Sequence, residues 1–259
     1  MWDTLIITPF LNVLLFIYTV VGQNFGLSII LFTFLIRLVT FPLTQQQIKG
    51  AASMQDLQKN KKWQDMQKKH KGDKEKLAQA QMELYKELGI NPLASCLPTV
   101  IQFPIIIGLY QSVIRSLAST PTQLLDLAQH VYPNLLNFSE LIPLNSKFLW
   151  MNLAQPERLN LPFLDFGIPI LAVVVVATTY LQSKLMSPTS AGSGDQGAQM
   201  SKMMNIYMPF LMGYLALTLA SGLSLYFVAS NVIGIAQYAA MGRLNWNNIL
   251  PSRTPAKSK

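Results

Sequence analysis

The sequence predicts an all-α fold: a polytopic membrane protein with a five-transmembrane-helix core, a cytoplasmic helical hairpin and an N-terminal interfacial helix. Composition is the first ground. Of 259 residues 51% are hydrophobic and only 12% are charged, about half the charged share usual in a soluble domain. Segregation of the charges is the second. Ten Lys and six Asp or Glu lie between Lys49 and Glu87, whereas Val100 to Tyr110, Ile168 to Tyr180, Ile206 to Leu217 and Leu223 to Gln237 contain no ionised side chain. With their flanks these windows approach the ~20 residues that a bilayer requires. Together with the segment around Arg37 they give five spans, at about 25–44, 93–116, 163–185, 203–219 and 222–242 of a core covering 23–243.

Residues 1–22 come first. Leu5 to Val21 is apolar, but Asp3 stands where a signal peptide has a basic region, and no small-x-small cleavage site follows. The segment is therefore expected to be retained. Pro9 and Asn12 favour an amphipathic helix lying in the interface over a sixth span, and Trp2 and Tyr18 suit that depth.

The first span carries the main anomaly of the chain. Arg37 lies in the middle of the apolar run Ser28 to Pro42, where a central Arg costs roughly 2.5–3.5 kcal/mol by insertion scales. Thr33, Arg37, Thr40, Thr44 and Gln47 follow steps of four, three, four and three, which places them on one helical face. That stripe fits either a water-exposed groove or an internal structural pairing with neighbouring helices. Aside from Asp165 at the edge of the third span, no Asp or Glu lies in the other spans, so the counter-ion for Arg37 is expected to come from a substrate.

The Lys-rich segment at 45–90 reads as two helices, about 45–69 and 73–89, around the turn Lys69 to Lys74. Leu77, Gln81, Leu84, Tyr85 and Leu88 form a stripe on the second arm, and Ile48, Ala52 and Met54 to Leu57 begin a looser one on the first. The arms can pair as an antiparallel coiled coil, read equally as a solvated spacer or as a docking element for acidic headgroups or RNA. In the second span Ser95, Thr99 and Gln102 share a face, and Ser224, Asn231 and Gln237 mark the fifth. Each polar residue is read equally as facing water or bonding a neighbouring helix. Residues 117–161 form a Leu- and Pro-rich outer segment with Trp150, expected as short interfacial helices. Ala191 to Gly197 lacks the Gly-Lys-Ser/Thr ending of a phosphate loop and reads as a linker. In the fourth span Met200, Met203, Met204, Met208 and Met212 cluster, as ordinary packing or as an adaptable apolar surface. A short basic tail, 244–259, closes the chain.

A cytoplasmic hairpin with five alternating spans places its ten lysines with Lys184, Lys202, Arg243, Arg253, Lys257 and Lys259 inside, sixteen of the twenty basic residues. The positive-inside rule thus gives an N-out, C-in topology. Catalysis is not expected. Cys96 is the single cysteine, His70 and His130 are the two histidines, and the topology puts neither near Cys96 or a membrane serine. They also provide no ordinary structural zinc site, so no metal and no cofactor is implied.

The segments SIILFTFLIRLVTFPLTQQQ (28–47), LYKELGINPLASCLPTVIQFPIIIGLYQSV (84–113), FLWMNLAQPERLNLPFL (148–164), QSKLMSP (182–188) and SGLSLYFVASNVIGIAQ (221–237) resemble, in order, the five signature regions of the YidC family of membrane protein insertases. The resemblance covers about 24–243. It implies a five-helix core with an inner-leaflet hydrophilic groove, open to cytoplasm and lipid and closed outside. The family's groove arginine maps onto Arg37, with Thr33 a turn before it and Gln102 matching the glutamine of the second span; Thr40, Thr99 and Asn231 complete the expected substrate-binding groove. Phe103, Ile106, Met204, Met208 and Met212 fall where the family guides the apolar segment of a substrate. Tyr226–Phe227 replaces a tyrosine pair, Asn152 stands where relatives often have Asp, and the large periplasmic domain of some members is absent.

The expected function is insertion and folding of nascent membrane proteins in a bacterial plasma membrane, with the ribosome and the Sec translocon as candidate further partners and no small-molecule substrate. A membrane adaptor acting through the hairpin, or a small-solute transporter or channel, is the alternative.

Overall fold

The computed structural model describes residues 1–46, 48, 61–69, 74–88, 97–117, 120–133, 141, 144–159, 167–186 and 196–244. Helices dominate: α1 (Thr8–Val20), α2 (Phe25–Val39), α3 (Lys61–Lys69), α4 (Lys74–Glu87), α5 (Leu97–Ser116), α6 (Pro121–His130), α7 (Ile170–Met186), α8 (Gln196–Thr218) and α9 (Ser221–Ala240). The chain divides into two compact units, one of residues 1–38 with 105–259 and one of residues 39–104.

In the larger unit, α7 packs along both α8 and α9. Pro9 has no N–H to continue a regular ladder, and a π-helical turn, Asp3–Ile7, leads into α1. The combined helix Asp3–Val20 and helix α9, 18 and 20 residues, have the length and apolarity to cross a membrane; Phe25–Val39, Ile170–Met186 and Ile206–Thr218 are shorter apolar helices.

Helix α1 is well fixed within its unit. Leu11, Leu14, Leu15 and Tyr18 are buried in a core that also holds Phe25, Ile29 and Phe32 of α2 and Leu109 and Val113 of α5. A Cβ at Gly108 would come within 2.5 Å of Ile6 Cγ2, so glycine allows α1 and α5 to approach. Ser112 and Ser116 extend a small-residue seam at steps of four. Arg115 of α5 pairs with Asp3 at 2.7 Å, and Trp2 Nε1 donates to Gln111 at 2.9 Å. Asn12, only 1% exposed, donates to the carbonyls of Thr8 and His130, both at 2.8 Å, and accepts from Tyr132 N at 2.7 Å. Its polarity, a sign against spanning in the sequence, ties α1 to the end of α6.

Asn24 accepts from Leu27 N at 3.1 Å and caps α2. The expected continuous span 25–44 is interrupted: regular helix ends at Val39, Thr40 is a turn, and residues 41–46 resume helix. Pro42 cannot donate to the carbonyl four residues before it. Helix α7 begins at Ile170, after the 163 expected for the third span, and an antiparallel bridge of Leu159 with Ile168 precedes it. Helix α8 runs from Gln196, ahead of the 203 expected for the fourth span, and its apolar part is Ile206–Thr218.

Segment 117–161 is not purely helical. A capping box at Thr120 with Gln123 starts α6, and a two-stranded hairpin follows, β1 (Lys147–Phe148) against β2 (Met151–Asn152). Leu149 turns it at φ +54°. The buried Glu157 carboxylate accepts from Trp150 Nε1 at 2.9 Å and from Leu171 N at 3.0 Å, so it caps α7 and fixes the indole. Asn152 Oδ1 accepts from Ala154 N at 3.1 Å, while its carbonyl accepts from Ser221 Oγ at 2.8 Å.

In the unit of residues 39–104, α3 and α4 pack through Trp63, Leu84 and Tyr85 with Met66 and Leu77 beside them. Lys62 and Glu87 pair at 2.6 Å, which sets the two helices antiparallel; an exposed pair of this kind contributes about 0–1 kcal/mol. Leu88 is exposed rather than in the seam. Ala52, Met54 to Leu57 and Cys96 lie outside the described residues, as does the side chain of Gln81.

Asn12→Ala takes the side-chain partner from the part-buried His130 carbonyl and Tyr132 amide and is expected to lower stability by about 1–3 kcal/mol, read as an earlier thermal unfolding transition of the detergent-solubilised protein.

Candidate functional site

The site is built where α2, α7 and α9 meet. Helix α2 is mostly apolar, and one side of it carries Thr33 and Arg37 a turn apart. Thr33 is fully buried, its hydroxyl donating to the Ile29 carbonyl at 2.6 Å. Arg37 is half-buried. Its Nε donates to Ser230 Oγ at 3.1 Å and its Nη2 donates to the same oxygen at 2.5 Å. Gln237, two turns along α9, donates from Nε2 to the Arg37 carbonyl at 3.1 Å. Between them sits Gly234, where a Cβ would meet Gln182 Nε2 of α7 at 2.7 Å and Arg37 Nη2 at 3.7 Å. Glycine therefore makes room for the Gln182 amide, and the guanidinium lies beside it at ordinary contact distance.

No carboxylate forms an ion pair with Arg37 among the described residues. Both neutral bonds to Ser230 come from one edge of the guanidinium. Of its five N–H groups, the two on Nη1 and one on Nη2 make no hydrogen bond among the described residues. None of its nitrogens is among the buried polar atoms left without a partner.

Asn231, the neighbour of Ser230, points to α7. Its Nδ2 donates to Thr178 Oγ1 at 3.1 Å and to Thr179 Oγ1 at 2.9 Å, so both amide hydrogens serve helix–helix pairing. Ser224 is buried, its hydroxyl donating to the Ala216 carbonyl at 3.3 Å. The other expected groove residues lie in the unit of residues 39–104. Thr40 and Gln102 are half-buried, and the Thr40 carbonyl accepts from both Thr44 N and Thr44 Oγ1. Thr99 lies in α5 with its side chain outside the described residues, as is all of Gln47.

The apolar candidates divide as well. Phe103 is exposed, whereas Ile106 and Met212 are partly buried against the core. Met208 is half-buried, and Met204 lies in α8 with its side chain outside the described residues. The exposed face of α8 is instead Ile206, Tyr207, Phe210, Tyr214 and Leu217.

Ser230, Gly234 and Gln182 were not singled out from the sequence. Ser230, Gly234 and Gln237 do follow steps of four and three on α9, so the stripe that meets Arg37 was present but masked by the more polar Asn231 beside it.

Asn231→Ala removes two interhelical bonds and is expected to cost about 1 kcal/mol, at roughly 0.6 kcal/mol for each bond within a membrane. The check is a lower midpoint of thermal unfolding, with circular dichroism showing unchanged helix content.

Residues 16–247 match the family described as 60Kd inner membrane protein. The membrane protein insertase MisCA of Bacillus subtilis is 33% identical over 91% of this chain and 77% of its own length. The membrane protein insertase YidC of Fusobacterium nucleatum is 36% identical over 83% of this chain and 84% of its own. The inner membrane protein ALBINO3 of Arabidopsis chloroplasts is 30% identical over 86% of this chain and 48% of its own. An apolar helical chain with an arginine on neutral partners, matched over most of its length, belongs to the 60Kd inner membrane protein family, the YidC family of membrane protein insertases.

Proposed function

We propose that the chain inserts and helps to fold nascent membrane proteins by drawing short hydrophilic N-terminal tails into an inner-leaflet groove centred on Arg37. The observation that carries this reading is a guanidinium that, among the described residues, is held only by a neutral acceptor, in a member of an insertase family. A charge retained in an apolar helix without a carboxylate attracts one from elsewhere, and the acidic residues of a tail can supply it. A half-depth aqueous cavity also shortens the low-dielectric path that a tail must cross. The apolar segment that follows leaves sideways into lipid, favoured by about 25 cal/mol per Å² of buried apolar surface.

In this reading the core spans the bilayer five times with an N-out, C-in topology in a bacterial plasma membrane. Asp3–Val20 lies in the outer interface, although its 18 residues have the length for a span. The buried Thr33 marks the closed end of the groove, and Asn231 braces α9 on α7 behind Ser230. Thr40, Thr99 and Gln102 join the groove by helical spacing and by the family resemblance. Phe103, Ile106, Met204, Met208 and Met212 form the apolar path for the substrate segment. The paired helices α3 and α4 receive substrates or the ribosome on the cytoplasmic side, and the Sec translocon is a further partner. No bond chemistry and no cofactor enter the mechanism.

The test is insertion of a single-span protein with an acidic N-terminal tail into liposomes holding the purified chain, scored by protease protection of the tail. Arg37→Lys is expected to insert and Arg37→Ala to lose most of the protected product. Equal insertion by Arg37→Ala, or by Arg37→Leu as an adaptor would allow, overturns the groove mechanism.

A further inference from the structure

We propose that Ser230 is a positioning residue for the insertion reaction: it holds Arg37 through a neutral acceptor, so that the guanidinium keeps its full charge and turns its free fork toward one carboxylate of the incoming tail. This rests on the groove reading above and specifies how the groove discriminates.

The geometry divides the guanidinium into two edges. Nε and Nη2, one edge, converge on Ser230 Oγ at 3.1 and 2.5 Å. The end-on edge, Nη1 with the second hydrogen of Nη2, is unused among the described residues, and two parallel N–H groups there match a carboxylate bidentately. A serine oxygen accepts both bonds of the occupied edge without neutralising the cation, which an Asp or Glu at the same place would do. The surroundings favour that fixed orientation. Gln237 holds the Arg37 carbonyl at 3.1 Å, and Asn231 ties the adjacent turn of α9 to Thr178 and Thr179. The side chain is thereby oriented before a tail arrives, and less rotamer entropy is lost on binding it.

The ligand class is a carboxylate on an extended N-terminal tail. The serine makes the site selective for acidic over neutral tails. Removing the hydroxyl, as in Ser230→Ala, frees the guanidinium to sample other rotamers. Replacing it with a carboxylate fills the cation's demand internally.

The experiment uses the full chain in liposomes and a single-span test protein whose tail carries no, one or two Asp, with Ser230→Thr, Ser230→Ala, Ser230→Asp and Arg37→Ala compared with wild type. The readout is the ratio of protected acidic tail to protected neutral tail, and folding of each variant is checked by thermal unfolding. Ser230→Thr is expected to keep the wild-type ratio, because it keeps the hydroxyl. Ser230→Ala should lower it several-fold, and Ser230→Asp should lower it on the order of tenfold and erase the preference. A folded Ser230→Ala or Ser230→Asp with the wild-type ratio overturns the inference; if Ser230→Asp does not fold, Ser230→Ala alone decides. Loss of insertion in Arg37→Ala beside unchanged Ser230 variants refutes the positioning role and leaves the groove reading standing. Wild-type behaviour of Arg37→Ala refutes the groove reading itself.

Discussion

Keeping one guanidinium in an apolar helix is the constraint on which the rest of the site depends. An isolated charge at that depth is costly, and a buried carboxylate partner would add its own desolvation. The chain uses neither extreme. Ser230 Oγ satisfies two donors at a neutral oxygen, and the half-buried side chain leaves the remaining donors outside the dry core. This arrangement demands that α9 approach α2 closely and present a small polar face. Ser230, Gly234 and Gln237 provide that face, and Asn231 uses the adjacent direction to brace α9 on α7.

The far ends of those helices are fixed by different chemistry. Glu157 caps α7 and holds Trp150, while the start of α9 is bonded to the Asn152, Leu153 and Gln155 carbonyls. Buried backbone groups at helix ends must find partners, and here the hairpin β1–β2 and its following turn supply them. The Asn152 side chain bonds to the turn through Oδ1, a role that an Asp oxygen fills equally well, so the departure from Asp changes charge without removing the bond. The π-helical turn that leads into α1 is seated on α5 through Gly108 and Ser112, and Asn12 anchors α1 to the end of α6.

Much of the fold was legible because membrane helices announce themselves by composition. The charge-free windows lie inside α5, α8 and α9 and overlap most of α7, although α8 begins ten residues ahead of its window. Breaks at Pro42 and Pro169 were harder, since an apolar run continues through them while the hydrogen-bond ladder does not. Strands of two residues leave no alternation to detect, so Lys147–Phe148 and Met151–Asn152 fall within a segment that reads as short interfacial helices. Trp63 was hidden in a segment of lysines, although it supplies much of the seam between α3 and α4.

The site shows a sharper limit. Arg37 stands out from sequence by cost, and its own helix displays the polar stripe. Its partner does not stand out, because a serine is cheap in a membrane helix and signals little by itself. Polarity ranked Asn231 first on α9, yet the more polar group was the one already satisfied by Thr178 and Thr179. A strongly polar residue in a membrane needs partners wherever it sits, so its presence says little about which face is open. A small hydroxyl, a glycine and an amide in a four-and-three stripe say more. Together they mark a face that admits a bulky cation from another helix and, among the described residues, offers it no carboxylate.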